Sequence, residues 1–140
     1  MAPLYKAMEK FNWSRDCEES FVDLKSQLAA VSSLGSPNAK DTFHIFTDAS
    51  ELAIGAAIHQ NGRPLAFYSR ILTPTERRYS TFDREALAIM SVFRAYRHWL
   101  EGENSVVHTD HKPLLSFMAM RQPSARQARW MYDMAQFHPV

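Results

Sequence analysis

The chain of 140 residues is long enough for one domain with a real core, and its 46% hydrophobic and 22% charged composition is that of a globular protein, not a disordered one. Its formal net charge of +1 hides an uneven distribution: residues 1–60 carry five Lys/Arg against eight Asp/Glu, and residues 61–140 carry eleven against seven, so the second half is the expected phosphate-facing half. A single cysteine, Cys17, excludes an intrachain disulfide, and no apolar run approaches the roughly 18 residues of an ordinary transmembrane helix.

In chain order, Met1 to Trp13 reads as a short lead-in, with Leu4, Tyr5, Met8, Phe11 and Trp13 as anchors. Ser14 can cap the next helix, whose first turn carries Asp16, Glu18 and Glu19 at the positive end of the helix dipole. Cys17, Phe21, Leu24, Leu28 and Val31 then recur at helical spacing and predict an amphipathic helix over 15–31. Cys17 is expected to pack there as a small apolar residue. The turn-rich run from Ser32 to Asn38 should end that helix and act as a linker.

From Thr42 the pattern changes to alternation, which predicts a strand over 42–48 that stops on Asp48. A second strand follows over Leu52–His59, interrupted by Gly55, where a bulge or a close backbone approach is expected. Asn61-Gly62 is a strong hairpin signal, so a third strand should return over Arg63–Ser69, with Pro64 at an edge or a strand start.

Thr73-Pro74-Thr75-Glu76 has capping-box spacing and predicts a short helical turn. Ser80 or Thr81 then caps a main helix over 81–100, with Phe82, Ala86, Ile89, Met90, Phe93, Tyr96 and Leu100 as its apolar line and Gly102 as its stop. Ser105–Thr109 forms a fourth strand which, being reached through the long helix, can lie parallel to the first. A short helix over 113–118 and another from Pro123-Ser124, packing through Ala128, Met131, Met134 or Ala135, and Phe137, complete the chain before His138-Pro139-Val140.

Three carboxylates stand out. Asp48 ends an alternating apolar run and Asp110 a β-branched run, each on Thr-Asp, and Glu85 falls on the apolar line of the main helix, where a glutamate is unusual unless partnered. Each has a plain reading alone: Asp48 as a turn cap, Asp110 as a helix-start residue before Pro113, Glu85 as the partner of a neighbouring arginine. If the first and fourth strands are neighbours and the helix crosses them, the three converge at the carboxyl ends of the strands, where α/β sheets place their ligand sites. Two unit charges about 4 Å apart repel by roughly 4 kcal/mol at an effective dielectric of 20, so a cation is the expected remedy. All-oxygen ligands point to Mg²⁺ or Mn²⁺ rather than zinc, and phosphodiester hydrolysis is the chemistry two such ions serve. His111, beside Asp110, is read first as a structural hydrogen-bonding residue and second as a proton shuttle; the other histidines carry no motif. No nucleophile elbow, P-loop or dinucleotide fingerprint is present.

These residues resemble the ribonuclease H domain of reverse transcriptases from gypsy-type LTR retrotransposons. The motifs that carry the resemblance are Phe11-Asn12-Trp13, Cys17-Glu18-Glu19-Ser20-Phe21, Leu24-Lys25, Thr47-Asp48-Ala49-Ser50, Ile54-Gly55-Ala56, Phe67-Tyr68-Ser69-Arg70 and Leu72-Thr73-Pro74 with Glu76. Tyr79-Ser80-Thr81, Arg84-Glu85 with Leu87-Ala88-Ile89, Arg97-His98-Trp99-Leu100, Thr109-Asp110-His111-Lys112-Pro113-Leu114 and Ala128-Arg129-Trp130 continue the series.

The resemblance implies an α/β ribonuclease H-like fold: an antiparallel three-stranded meander, a parallel strand and flanking helices. It implies that residues 1–38 are the tail of a polymerase part with its linker and that 39–140 are the ribonuclease H-like domain. Asp48, Glu85 and Asp110 become metal-binding catalytic carboxylates for Mg²⁺, with Mn²⁺ as the substitute and two ions in a complete domain. Ser50, Arg70, Tyr79, Ser80, His111 and Lys112, which stand inside the motifs, become candidate nucleic-acid contacts. Family domains continue past the position of Val140 into a further strand and a helix with a fourth carboxylate, so a domain truncated at its C-terminus is expected.

The expected function is metal-dependent endonucleolytic hydrolysis of the RNA strand of RNA/DNA hybrids. The expected partners are the hybrid and the rest of a reverse transcriptase polyprotein, with no membrane. The expected location is intracellular, in a cytoplasmic particle or the nucleus, not secreted. The alternative is a catalytically incomplete or repurposed hybrid-binding module. An integrase-like transferase is weaker, since that family places its glutamate last.

Overall fold

The computed structural model describes Leu4 and residues 11–30 and 34–137. Tyr5 and Met8 of the lead-in, Val31 of the first helix, Ser32 and Ser33 of the linker and the closing His138–Val140 lie outside the described residues. Two compact units divide the chain, residues 1–33 and 34–140. In the first, helix α1 (Arg15–Ala30) starts where expected: the Ser14 hydroxyl accepts from the Cys17 amide at 3.3 Å. Trp13 meets Phe21 edge-on at 5.9 Å and donates to Glu18 at 2.6 Å, and Cys17 is buried.

The second unit is built on one mixed sheet. β1 (Phe43–Ala49), β2 (Ala53–Gln60) and β3 (Arg63–Ile71) form the antiparallel meander, and β4 (Ser105–His108) lies parallel to β1, giving the order β3-β2-β1-β4. Asn61 and Gly62 take φ of 50° and 74°, as the two-residue turn requires. The register irregularity falls between Ile58 and His59, which excludes the bulge among the two readings of Gly55: β2 pairs regularly through Gly55, and His59 meets Pro64, which has no N–H for the ladder. Residues 34–38, expected to belong with the linker, add to this unit. The Gly35 amide donates to the Pro64 carbonyl at 2.9 Å, and the buried Gln60 amide exchanges hydrogen bonds with the Asn38 backbone at 2.9 Å.

The long helix α2 (Thr81–Ala95) packs on one face of the sheet. Ala86, Ile89, Met90, Val92 and Phe93 are almost fully buried against Phe43, Ile45, Ile54 and Ile58. Each such large side chain contributes about 1.5–3 kcal/mol by leaving water. Ser80 is the cap, accepting from the Asp83 amide at 3.1 Å. The predicted single helix over 81–100 is interrupted at Tyr96, which leaves helical geometry at φ −111° and sends its hydroxyl to the Phe67 carbonyl at 3.1 Å. A four-residue helix α3 (Arg97–Leu100) follows, and Gly102, at φ +80°, ends it.

Thr73 and Glu76 form the reciprocal box, at 3.2 and 2.8 Å, with a 3-10 turn over Glu76–Arg78. Beyond β4 the expected short helix is a 3-10 stretch, Lys112–Ala119, that buries Leu114 and Phe117. Helix α4 (Ala125–Ala135) opens on a Ser124/Gln127 capping box and seats Trp130, Met134 and the following Phe137 in the core. Ala128 is exposed, against expectation, because the larger Trp130 occupies the inward side. No helix among the described residues is long and apolar enough to cross a membrane.

Candidate active site

Parallel pairing of β1 with β4 runs from Phe43 opposite Ser105 to Phe46 opposite His108. Both strands therefore finish at the same edge of the sheet, and each chain continues into an aspartate: Asp48 near the end of β1, Asp110 two residues past β4. Both are exposed. The first turns of α2 bring Glu85 to this edge from the helical face, where it is only 4% exposed.

The electrostatics show that the three groups share a field. Burial pushes the Glu85 carboxyl above its ordinary range, the negative charge of Asp48 pushes it further, and Asp110 adds a smaller push. The Ala49 backbone N–H, donating to Glu85, and the Arg84 charge act in the opposite direction. Glu85 Oε2 is buried without a hydrogen-bond partner, a costly state for a carboxylate oxygen. Thr47 Oγ1, Ser105 Oγ and Arg84 Nε share that condition among the described residues.

Glycine at position 55 shapes the space beside Asp48. It is Asp48's direct cross-strand partner, and opposed Cβ atoms on one face stand about 4.5–5.5 Å apart, so the missing side chain leaves that flank open. A Cβ there would meet only the Tyr68 carbonyl, at 3.9 Å. Space for a side chain exists and is left empty. On the other side a cleft of about 470 Å³ joins Asp48 to Asp110, floored by Phe46, Val107 and His108 and rimmed by Leu115.

The donor set fits a hard divalent cation. All three groups offer oxygen, and one of those oxygens is buried and unpartnered. Among the described residues no three acidic, imidazole or thiolate groups are already closed around a common point. An ion that keeps several waters and takes further ligands from a substrate phosphate suits that openness.

Most of the other candidate residues are engaged in holding the loops around the carboxylates. The Ser50 hydroxyl accepts from the amides of Leu52 and Ala53, at 3.2 and 3.0 Å, and so closes the β1–β2 turn. Arg70 grips Glu76 through two guanidinium nitrogens, at 2.8 and 3.0 Å, and holds that carboxyl down at about 2. Tyr79 is half-buried under the Arg126 guanidinium, which lies 3.7 Å from the ring centroid. Ser80 caps α2, and His111 is half-buried edge-on against Phe82 at 5.9 Å. Lys112 is exposed.

Two features of the site escape a reading along the chain. Asp83, two residues before Glu85, receives Arg126 at 3.3 Å and Gln127 at 2.8 Å, so the start of α4 is latched to the first turn of α2. His108 forms part of the cleft floor, stacked on Phe46 at 4.4 Å. Its place next to Thr109-Asp110 was a local signal, but only the strand register shows what it faces.

A family model described as "RNase H-like domain found in reverse transcriptase" matches residues 38–137. The Drosophila melanogaster Pol polyprotein from transposon 297 is 35% identical over 119 residues, covering 85% of this chain and 11% of its own length. That from transposon gypsy is 39% identical over 95 residues, covering 67% and 9%. The chain thus spans about a tenth of the length of the curated relatives it matches. Among solved structures, the foamy viral protease-reverse transcriptase in complex with RNA/DNA hybrid superposes with a TM-score of 0.69 at 16% identity, over 99% of this chain and 21% of that one.

Proposed function

The chain belongs to the RNase H-like domains found in reverse transcriptases, with gypsy-type transposon Pol polyproteins as its relatives, and from that premise we propose that it hydrolyses the RNA strand of RNA/DNA hybrids. The observation that carries the reading is the buried, unpartnered Glu85 oxygen, whose carboxyl both Asp48 and Asp110 repel at the shared edge of two parallel strands. Asp48, Glu85 and Asp110 would hold Mg²⁺ or Mn²⁺. A divalent pair of this kind, when bound, supplies an activated water and stabilises the leaving oxygen of a phosphodiester.

The chain's own residues supply position. Glu85 comes from a helix whose start is fixed by Ser80 and by the Asp83–Arg126 contact, so its carboxyl has little freedom. Asp48 stands on β1 and Asp110 just past the end of the adjacent β4, and the open flank at Gly55 would let a sugar-phosphate backbone approach Asp48 without displacing a side chain. The excess of arginine over acid in residues 61–140 suits the polyanion, and Lys112, exposed beside Asp110, is the nearest cation left for it among the candidate contacts. Selection of the RNA strand would rest on the 2′-hydroxyl.

The test is cleavage of a hybrid labelled on the RNA strand, with Mg²⁺ or Mn²⁺. Metal-dependent cutting that disappears in Asp48→Asn supports the reading. If both this chain and a natural-length polyprotein containing it leave the RNA intact, the reading is wrong. A second reading is a hybrid-binding module without catalysis, which the excess of arginine over acid in residues 61–140 would serve equally well. It predicts salt-dependent hybrid binding that survives Asp48→Asn, Glu85→Gln and Asp110→Asn together.

A further inference from the structure

On the sheet face opposite α2, the alternation of β1 points His44 and Phe46 outward, and the register sets His108 of β4 directly beside Phe46. His44 and His108 are thus diagonal neighbours on two adjacent parallel strands. Their imidazoles meet, His44 Nδ1 to His108 Nε2, at 3.0 Å. Phe46 stacks on His108 at 4.4 Å and 10°, which fixes that ring in its plane. His59, the cross-strand partner of His44, lies on the same face and tilts against Phe46 at 5.3 Å, without a bond to the pair.

We propose that His44 and His108 form a two-imidazole chelate for a borderline-soft divalent metal, of the Ni²⁺, Cu²⁺ or Zn²⁺ type, with ligands other than the three carboxylates, although His108 also floors their cleft. Ligand nitrogens about 2.0–2.1 Å from an ion stand about 2.9 Å apart at a right angle and about 3.3 Å apart at the tetrahedral angle. The observed 3.0 Å lies inside that range, close to the right-angled bite that square or octahedral ions present. With ring centroids 5.3 Å apart the two nitrogens face each other along the hydrogen bond, so a metal ion in place of the shared proton requires each ring to turn until both lone pairs converge on one point.

Both ligands are carried by hydrogen-bonded strands, so the bite is set by the backbone and not by a loop. Neither ring is fully buried, which leaves water free to complete the shell. Imidazole selects these metals over Mg²⁺, which prefers oxygen and dehydrates reluctantly. The proposal does not depend on the nuclease reading, and the two can fail separately.

The experiment uses the untagged 140-residue chain, titrated with Ni²⁺ in a non-chelating buffer, with binding heat and imidazole NMR signals followed together. One ion should bind, and the paramagnetic broadening should start at the His44 and His108 rings and at Phe46. His44→Gln and His108→Gln should each weaken binding by at least about tenfold, in the range seen when a metal's supporting partners are removed, while His59→Gln leaves it unchanged. Saturating Mg²⁺ should not displace the Ni²⁺. Amide spectra establish that both variants fold. The proposal is overturned if folded variants bind as tightly as the parent, if Mg²⁺ competes, if broadening centres on His59 or His98, or if no Ni²⁺ binds; the pair is then only a hydrogen bond.

Discussion

Replacing Glu85 with glutamine should make the metal-free protein more stable at neutral pH. In the native fold one side of the carboxylate accepts the Ala49 amide, while Oε2 is buried with no partner and both Asp48 and Asp110 repel the charge. Glutamine keeps the size and an acceptor oxygen, removes the charge and offers donors to the two aspartates. A buried polar group left unsatisfied costs about 1–3 kcal/mol, and more when charged. The variant should therefore gain about 1–3 kcal/mol, a rise in Tm of roughly 4–12 °C for a unit of this size.

The sign of the pH dependence follows from the direction of the shift. Glu85 is raised above its unfolded value of 4.5, so its favourable contribution is complete below 4.5 and is lost as pH rises through the raised native value. The gap between variant and parent should widen as pH rises through the raised native value and close as the pH falls to about 4. Thermal unfolding in EDTA across that range is the assay. Added Mg²⁺ should reverse the order, because only the parent gains from tight binding, by about 2.7 kcal/mol at a hundredfold excess over Kd. A variant that is less stable at every pH in EDTA would refute the reasoning and make Glu85 an ordinary structural acceptor.

Gly55→Val should fold, since a Cβ at that position meets nothing closer than 3.9 Å and valine suits a strand, yet it should fill the flank of Asp48 and abolish hybrid cleavage; unchanged cleavage would show that substrate does not pass there. Glu76→Gln should cost about 1–2 kcal/mol at neutral pH, after allowing for solvent screening of the one-third-exposed Arg70. Because Glu76 is lowered from 4.5 to about 2, that loss should be complete above pH 4.5 and should vanish as acid unfolding approaches pH 2. Ser124→Ala removes one half of the α4 capping box and should cost about 1 kcal/mol in chemical denaturation. Should the denaturation midpoint of Ser124→Ala not move, α4 is held by Trp130 and Met134 alone.

The meander, the parallel fourth strand and the helix that faces them were legible because each rests on a local rule. Alternation marks β1, Asn61-Gly62 allows only one turn, and the apolar line from Phe82 to Phe93 fits only a helix. That Asp48 and Asp110 approach Glu85 was legible in part, because strand ends and a helix face are sequence properties, but among the described residues the three are not closed around a common point. Features set by tertiary contact were not. Nothing around Tyr96 marks a helix break, neither glycine nor proline, yet its hydroxyl is drawn to the Phe67 carbonyl. Gly55 carries the usual mark of a bulge, but the irregularity sits at His59, where Pro64 on the opposite strand cannot donate. Arg70 reads as a free cation until the fold brings Glu76 under its fork, and Trp130 displaces Ala128 from the core because orientation of α4 depends on its neighbours.

The central claim is that Asp48, Glu85 and Asp110 share a divalent cation, and Mn²⁺ binding followed by paramagnetic line broadening tests it most directly. The account predicts that broadening begins at Thr47–Ala49, Glu85 and Thr109–Asp110, that Mg²⁺ reverses it, and that Asp48→Asn or Asp110→Asn removes it. Broadening that starts elsewhere, or that persists unchanged in both variants, would contradict the account.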